Sequence, residues 1–540
     1  MTTMVRAVGI RRDHVRARRR RLRIAGGLAV LLAGSSAVGH AATDTTESPG
    51  AGEPRQGGTA TAVFSGLPVG LDPALHRVTV AFGEAAAMAP IFGHLAYFNA
   101  VDGAVELYFL ESLEPDDTGA VWTMRLHPDI KFSDGTPLDA EAIKYNIERS
   151  ADPATGSRFE PEARDLVLEV LDELTLQVTL PEPNLGWDAV LVTNFAGVGS
   201  PTAIQAALDE GVEVGTVPVG AGPFMVTEWE PRARMVLEPN PYFGDFLPGQ
   251  PYLDQLTLMN VDDHSQQTSA IASGAAQLAL SFGGAATEAL LEAGDAVVTN
   301  GSGGASITFN VDRPPFDDIR ARMALSLAVD RSILSDAFQT GTAASTGLFP
   351  EHSPHHNPDL TWPDQDVEEA QRLLDELAAE GKPLEFSYTT FDSPQQQAVI
   401  NVLISQLAEF DNVTFTPDVR VYGEYIASMQ RGDFQSLCSG IYFVNPMPIM
   451  YDSLHPDGLL NYSNWVNEAV GEAFDDLASA STLEEQNVQW DIIQEQLIAE
   501  MPALWLGQPP ITVGFSDDMV VPRAINIGSI PLFGEVGYKA

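Results

Sequence analysis

The side chains that could support chemistry are few along this chain. The only histidine cluster contains Glu351, His352, His355 and His356, which have the donor types that a borderline metal ion accepts. The flanking prolines make a solvated loop the alternative, and since no distant ligand is identifiable we expect no metal site. Cys438 is the single cysteine, so we expect a small buried residue rather than a nucleophile.

Motifs for catalysis and for cofactor binding are absent from the sequence. The chain has no GxSxG elbow, no HExxH pair, no GxxxxGK[ST] phosphate-binding loop and no CxxC pair. We therefore expect no catalytic residue and no cofactor. A surface hydrolase is the weaker class of function, because no nucleophile and base pattern supports it.

The composition of the 540 residues indicates a large globular protein with a strongly acidic surface. Hydrophobic residues make up 44% of the chain, which is enough to build several cores. The chain has 74 acidic and 29 basic residues, for a net charge of −45. Since nucleic-acid binding needs a basic surface, we expect no nucleic-acid partner.

The first 42 residues differ from the rest and predict a secretory signal peptide. Residues 1–23 are rich in arginine, and residues 24–42 are apolar and small, in the order of a basic region, a short hydrophobic region and a cleavage site. A retained anchor and a structural first helix are the alternatives. Residues 43–58 are polar and rich in Gly and Pro, which predicts a linker.

Export is therefore the expected fate of the protein, to the periplasm or the outside of the cell. Leu32-Ala33-Gly34-Ser35 is similar to the lipid-attachment box of bacterial lipoproteins, with a serine at the position of the modified cysteine. No thioether forms on serine, so we expect no lipid anchor, and other attachment to the cell surface stays open. Arg11-Arg12 leaves twin-arginine export open beside the general route.

From Thr59 onwards, strand and helix patterns alternate. Leu174 to Leu180 has apolar residues at every second position, which predicts a half-buried strand. Asp139 and Asp366 stand where N-caps precede helices, the second of which has Leu373, Leu374 and Leu377 on its apolar face. A further helix is predicted to bury the stripe Ile319, Met323 and Leu327. These patterns predict a multidomain α/β or mixed α+β protein.

A series of segments then resembles one family in its characteristic order. The segments are Leu71-Asp72-Pro73, WTMRLHPDIKFSDGTPLDAEAIKYNIERS (122–150), VPVGAGPFMVTEWEP (217–231), Asn240-Pro241-Tyr242-Phe243, FNVDRPPFDDIRARMALSLAVDR (309–331), NYSNWVNEAVGEAFDDLAS (461–479) and Met501-Pro502. They are similar to the extracellular solute-binding proteins of ABC importers, the peptide- and nickel-binding family 5. The resemblance covers most of residues 59–515.

The resemblance implies a two-lobed fold of the periplasmic-binding-protein type (class II, cluster C), with an extra inserted domain and a hinge. Hinge strands are expected near Ser306–Val311 and Leu504–Gln508, with Trp505 in the second. The expected divisions are the signal peptide 1–42, the linker 43–58, domain I from 59–97, 216–305 and 506–540, the inserted domain II at 98–215, and domain III at 306–505.

Ligand recognition is expected to depart from that of peptide-binding relatives. Those proteins hold the ligand's ammonium group with an Asp four residues before a Pro, and Pro446 is the matching residue here. Tyr442 then replaces the Asp and Asn445 replaces the acid that usually precedes the Pro. Tyr442, Phe443 and Asn445 offer aromatic faces and an amide, which suit a sugar ring or an apolar group. An acidic residue elsewhere in the site is the alternative.

Three residues of the first lobe, His94, Tyr97 and Phe64, are further candidates for the cleft, with a position in the core as the alternative. The resemblance implies a monomeric receptor that captures an oligopeptide-like or other medium-sized polar solute for an ABC permease and ATPase. A receptor for an oligosaccharide or a metal chelate, and a receptor for signalling, are the other functions that remain open.

The acidic composition generates a prediction about salt. A net charge of this size repels itself in dilute buffer, and molar salt screens the repulsion. If the protein comes from a saline setting, the urea midpoint of unfolding should rise as NaCl increases from about 0.1 to about 2 M. A midpoint that falls over the same series would contradict the saline origin and leave acidity as a means of solubility.

Overall fold

A computed structural model describes residues 52–76, 83–338, 344–507, 509–528 and 530–540. The signal peptide, most of the linker and Gln508 lie outside these residues. Strands and helices alternate along the chain and form three main sheets. The mixed α/β class expected from the sequence is confirmed. No helix among the described residues has the length and apolar character needed to cross a membrane.

Sheet A contains the first strand after the predicted linker and a strand close to the chain's end. In spatial order its strands are Asp295–Thr299, Ile511–Phe515, Leu278–Phe282, Thr59–Phe64, Gln255–Asn260, Arg234–Pro239 and Phe224–Glu230. The strand Thr59–Phe64 pairs in parallel with both of its neighbours, and the other pairs are antiparallel. The apolar face of sheet A packs on the helix Gly83–Phe92, which is buried over nearly all its length.

Sheet B is an antiparallel four-stranded sheet built from residues 110–179. Its strands, in spatial order, are Leu110–Pro115, Val121–Leu126, Thr175–Thr179 and Val167–Asp172. The strand predicted around Leu174 to Leu180 is confirmed, because Leu176 and Val178 are fully buried on one face. That face packs on the helix Ala140–Ala151.

Sheet C contains the central part of the chain and the candidate site. Its strands, in spatial order, are Val413–Arg420, Leu384–Phe391, Ser436–Phe443, Ser302–Phe309 and Ala503–Trp505. Short ladders add the strands Pro54–Arg55, Ala96–Phe98, Val105–Leu107, Met519–Val520, Ala524–Ile525, Ile530–Pro531 and Gly537–Lys539.

Helices cover the sheets and connect their strands. The remaining α-helices of the described chain are Glu160–Ala163, Trp187–Val190, Pro201–Glu210, Phe243–Phe246, His264–Ala272, Gly284–Ala293, Ile319–Ala328, Arg331–Ala337, Val367–Ala379, Pro394–Leu407, Tyr422–Arg431, Ile449–Leu454, Glu468–Leu477 and Leu483–Glu500.

Both predicted N-caps are confirmed. The Asp139 carboxylate accepts a hydrogen bond from the Ala142 N–H at 2.8 Å and begins the helix Ala140–Ala151. The Asp366 carboxylate accepts one from the Glu369 N–H at 3.0 Å and begins the helix Val367–Ala379. Each cap satisfies an N–H group that has no partner within the first turn of its helix.

The predicted apolar stripe on the helix Ile319–Ala328 is partly wrong. Leu327 is buried, but Ile319 is 41% exposed. The buried face instead contains Ala321, Ala324 and Leu325. Small side chains let this helix pack closely against the helix Val367–Ala379, so packing between the helices decided which face is buried.

The chain crosses between sheets A and C at two neighbouring positions. It leaves the sheet A strand Asp295–Thr299 and enters sheet C with Ser302–Phe309, then returns from Ala503–Trp505 to Ile511–Phe515. The two crossing strands pair with each other, with Ser306 opposite Trp505. The crossings therefore lie side by side.

A buried ion pair connects the loop after the first strand of sheet A to the helix that packs on sheet B. The Arg149 guanidinium donates two hydrogen bonds of 2.6 Å to the two carboxylate oxygens of Asp72, and both side chains are largely buried. Asp72 also accepts from the Ala74 N–H at 3.0 Å. Removing one partner of such a pair leaves the other charge buried without compensation.

We expect Asp72→Asn to lower the free energy of unfolding by about 3–5 kcal/mol, measured by urea unfolding. Glu160→Gln is the control, because its partner Arg164 is exposed and 3.4 Å away, and exposed pairs contribute about 0–1 kcal/mol. Equal effects of the two substitutions would contradict the stabilising role of the buried pair.

Candidate ligand-binding site

A cavity of about 450 Å³ lies beside sheet C. This volume falls in the range of sites for small-molecule ligands. The cavity is lined by Ser306, Thr308, Phe391, Tyr422, Tyr425, Ile426, Met429, Ser439, Gly440, Ile441, Tyr442, Ile449, Ser453, Leu454, Leu460, Tyr462, Ser463, Pro502, Ala503, Trp505 and Ile527. All of these residues except Ile527 belong to the part of the chain that runs from the first crossing strand to the second, with both strands included.

The floor of the cavity is the antiparallel pair Ser302–Phe309 and Ser436–Phe443. Side chains alternate across a sheet, so Ser306 and Thr308 face the cavity while Ile307 is buried on the other side. Ser439 lies directly opposite Ser306. Its hydroxyl is 3.0 Å from the Ser306 hydroxyl and 2.6 Å from the Thr308 hydroxyl, which makes a connected row of neutral polar groups.

Tyrosines form much of the remaining wall. Tyr425, on the helix Tyr422–Arg431, donates a hydrogen bond of 2.6 Å to the Cys438 carbonyl. Burial raises the pKa of Tyr425, Tyr442 and Tyr462 above the ordinary tyrosine value. These phenols therefore stay neutral at physiological pH and present rings and hydroxyls rather than charges.

Trp505, on the second crossing strand, completes the wall. Its ring is stacked on Trp362, with centroids 5.8 Å apart and an angle of 6° between the planes. Trp505 is 3% exposed, and its indole N–H has no hydrogen-bond partner in the described part of the chain. A buried donor without a partner is uncommon in native structures.

The Tyr442 ring reaches the cavity because residue 440 is a glycine. Residues 440 and 442 share one face of their strand, and a Cβ atom at Gly440 would lie 2.7 Å from the Tyr442 ring. The ring also makes an edge contact with Phe282 of sheet A, at 5.8 Å and 84°. Tyr442 thus connects sheet C to sheet A at the edge of the cavity.

The other two candidates from residues 440–448, Phe443 and Asn445, do not line the cavity. Phe443 follows Tyr442 in the strand and faces the opposite side, where it is 3% exposed and packs edge-on against Phe349 at 5.9 Å. Asn445 lies beyond the strand and donates a hydrogen bond of 3.1 Å to the Gly103 carbonyl. Of the three, Tyr442 lines the cavity and Asn445 makes a contact between the sheet C region and residues 98–215.

The three first-lobe candidates occupy packed positions. Phe64 and Tyr97 belong to the core of sheet A, and the Tyr97 hydroxyl donates to Glu106 at 2.7 Å. His94 is 2% exposed, and burial lowers its pKa to about 4, so its ring is neutral at physiological pH. The structure does not bring these residues together with Tyr442 on the cavity wall.

Most of the lining residues were not predicted. Ser306 and Thr308 alternate with Ile307 and Phe309, which are apolar, so the sequence contains a period-two signal for one polar face. Neither this alternation nor the serine at position 439 identifies a cavity, because a polar strand face is usually exposed to solvent. Tyr425 and Tyr462 come from separate segments that only the tertiary structure brings together.

The histidines of residues 351–356 contact different partners, and Cys438 is buried. His352, His355 and His356 contact three different acceptors, namely the Asn300 carbonyl, the Asn487 side chain and the Phe349 carbonyl. The expectation that Cys438 is a small buried residue is confirmed, since it is 7% exposed and burial raises its thiol pKa to about 11.

The fold is that of solved periplasmic binding proteins. The oligopeptide-binding protein AppA from Bacillus subtilis, solved with a nonapeptide, superimposes with a TM-score of 0.76 at 17% identity, covering 90% of this chain and all of AppA. The binding protein AgaA from A. tumefaciens R10, solved with agropinic acid, gives a TM-score of 0.76 at 19% identity, covering 89% of this chain and 99% of AgaA.

The chain belongs to the bacterial extracellular solute-binding proteins, family 5, whose middle region matches residues 105–458. The family resemblance recognised in the sequence is thereby confirmed. The glutathione-binding protein GsiB of Shigella boydii is 30% identical over 307 residues. That match spans 55% of this chain and 58% of the relative.

The close approach of Gly103 to residue 444 generates a prediction about the contact between residues 98–215 and the sheet C region. Gly103 has a φ of +74°, and a Cβ atom there would lie 2.3 Å from the Val444 carbonyl oxygen. We expect Gly103→Ala to separate the two regions and to increase the radius of gyration in small-angle X-ray scattering.

The matched control for this experiment is Gly156→Ala. Gly156 has a similar φ of +67° but no atom within 4 Å of the added Cβ. Both substitutions strain the left-handed backbone by about 1–2 kcal/mol, so only the contact with Val444 distinguishes them. Identical scattering profiles for the two variants would show that this contact does not hold the regions together.

Proposed function

We propose that the protein is the exported receptor of an ABC importer, which captures a medium-sized solute between two lobes and delivers it to a membrane permease. The cavity carries the proposal, because its wall combines residues of sheet C with Ile527 from beyond the second crossing. The contact of Phe282 in sheet A with Tyr442 adds a second element from outside sheet C. A site that two regions share favours ligand-dependent closure.

The proposed lobes follow the domain boundaries given above. Domain I (59–97, 216–305 and 506–540) contains the strands of sheet A, the inserted domain II (98–215) contains sheet B, and domain III (306–505) contains most of sheet C. The hinge is proposed at the two adjacent crossings, which are short and paired. Hinges of this kind are typical of binding proteins that close around a ligand.

The energetics of such a receptor require a ligand that binds the closed form more tightly than the open form. Moving an open-to-closed ratio from 99:1 to 1:99 requires a difference of about 5.5 kcal/mol. An aromatic cavity of this size supplies apolar contact area for that difference. The protein is proposed to act as a monomer, with the closed form recognised by the permease and its ATPase.

The proposal is tested with ligand recovered from freshly purified protein. We expect mass spectrometry of the denatured protein to identify a bound solute, and addition of that solute to stripped protein to reduce the radius of gyration. Ser439→Val is expected to weaken binding, because it removes the shared hydroxyl of the cavity floor. An unchanged scattering profile with the recovered solute, or its conversion to a product, would contradict a receptor function.

A further inference from the structure

The wall of the cavity has a property that bears on the class of ligand. None of its lining residues within the described chain carries an Asp, Glu, Lys, Arg or His side chain. Its polar groups are the hydroxyls of serine, threonine and tyrosine and backbone groups. The inference drawn from this wall rests on the proposed receptor function and deepens it.

A charged group of a ligand would lose its hydration in this cavity. Burying an ionised carboxylate or ammonium group without a partner of opposite charge is strongly unfavourable, whereas a neutral group needs only hydrogen bonds. The tyrosine phenols have raised pKa values, so they provide no counter-charge for an ammonium group. The row formed by Ser306, Thr308 and Ser439 offers neutral donors and acceptors.

Trp505 adds a fixed aromatic ring to the wall of the cavity. It lines the cavity, it is 3% exposed, and its indole N–H has no hydrogen-bond partner among the described residues. The parallel stack with Trp362 limits rotation of the ring. The indole nitrogen itself has almost no accessible surface, and the same is true of Trp362, so the ring of Trp505 and not its N–H is what the wall offers to a ligand.

We propose that the cavity binds an uncharged, ring-bearing solute whose oxygens form hydrogen bonds with the hydroxyl row of Ser306, Thr308 and Ser439. Stacking against the tyrosine and tryptophan rings of the wall holds the ring of the ligand. A capped peptide and an oligosaccharide both have this chemistry.

The first experiment compares probes by isothermal titration calorimetry on the stripped wild-type protein. The probes are N-acetyl-Ala-Phe amide, cellobiose and the free dipeptide Ala-Phe, which has the side chains of the capped peptide with two charged termini. We expect at least one neutral probe to bind at millimolar concentration or below, about tenfold or more tightly than free Ala-Phe. The neutral probe that binds distinguishes a peptide from a saccharide.

Equal or tighter binding of free Ala-Phe would overturn the inference, and so would the failure of both neutral probes to bind. If free Ala-Phe binds and compacts the protein, the receptor function stands and only the neutral-ligand inference fails. Asp452, which is buried next to the lining residue Ser453, is the acid to examine in that event. Loss of Ala-Phe binding in Asp452→Asn would then identify it as the ammonium partner.

The second experiment compares Trp505→Phe with Trp362→Phe. Both variants lose an indole N–H and the same ring volume from one stack, but only Trp505 lines the cavity. We expect Trp505→Phe to weaken binding of the neutral probe about tenfold, because it removes ring area from the wall, with little change for Trp362→Phe and similar urea midpoints for the two variants. Equal losses of affinity in the two variants would assign Trp505 a structural role only.

Discussion

The antiparallel register between Ser302–Phe309 and Ser436–Phe443 is the constraint on which the rest of the structure depends. The first strand carries the chain from sheet A into sheet C, and it also pairs with the returning strand Ala503–Trp505. The same register places the hydroxyls of Ser306 and Ser439 opposite each other on the cavity floor. A shift of one residue would turn Ile307 into the cavity and the hydroxyls into the core.

The chain as a whole is strongly charged, whereas the described wall of the cavity is not. The chain has a net charge of −45, yet the described wall of the cavity contains no charged side chain. A strongly negative surface keeps the protein soluble and acts at long range on charged solutes and partners. Selection within the cavity depends instead on desolvation, on aromatic packing and on hydrogen bonds to neutral groups. Net charge therefore says little about what this protein binds.

Residue types alone identified only part of the candidate site. The resemblance directed attention to residues 440–448, and one of the three candidates there, Tyr442, lies on the cavity wall. Phe443 shares a strand face with Ser439 and Ile441 but does not line the cavity, because it lies at the end of the strand and packs against Phe349. Gly440 is as important to the wall as either aromatic residue, since it leaves room for the Tyr442 ring. Its role is visible only when the strand and the ring are seen together.

The sequence by itself determined the family, the mixed α/β class, the two N-caps and the strand around Leu176, because each of these follows from local patterns or from segments in a fixed order. It also predicted that Tyr442 and Asn445 stand where peptide-binding relatives have acidic residues. Only the tertiary structure decided that Tyr425, Tyr462 and Trp505 share one cavity, and that Ile319 is exposed while Ala321 is buried. The physical reason is that local patterns reflect hydrogen bonding and periodicity within one element, whereas a cavity depends on packing between segments far apart in the chain.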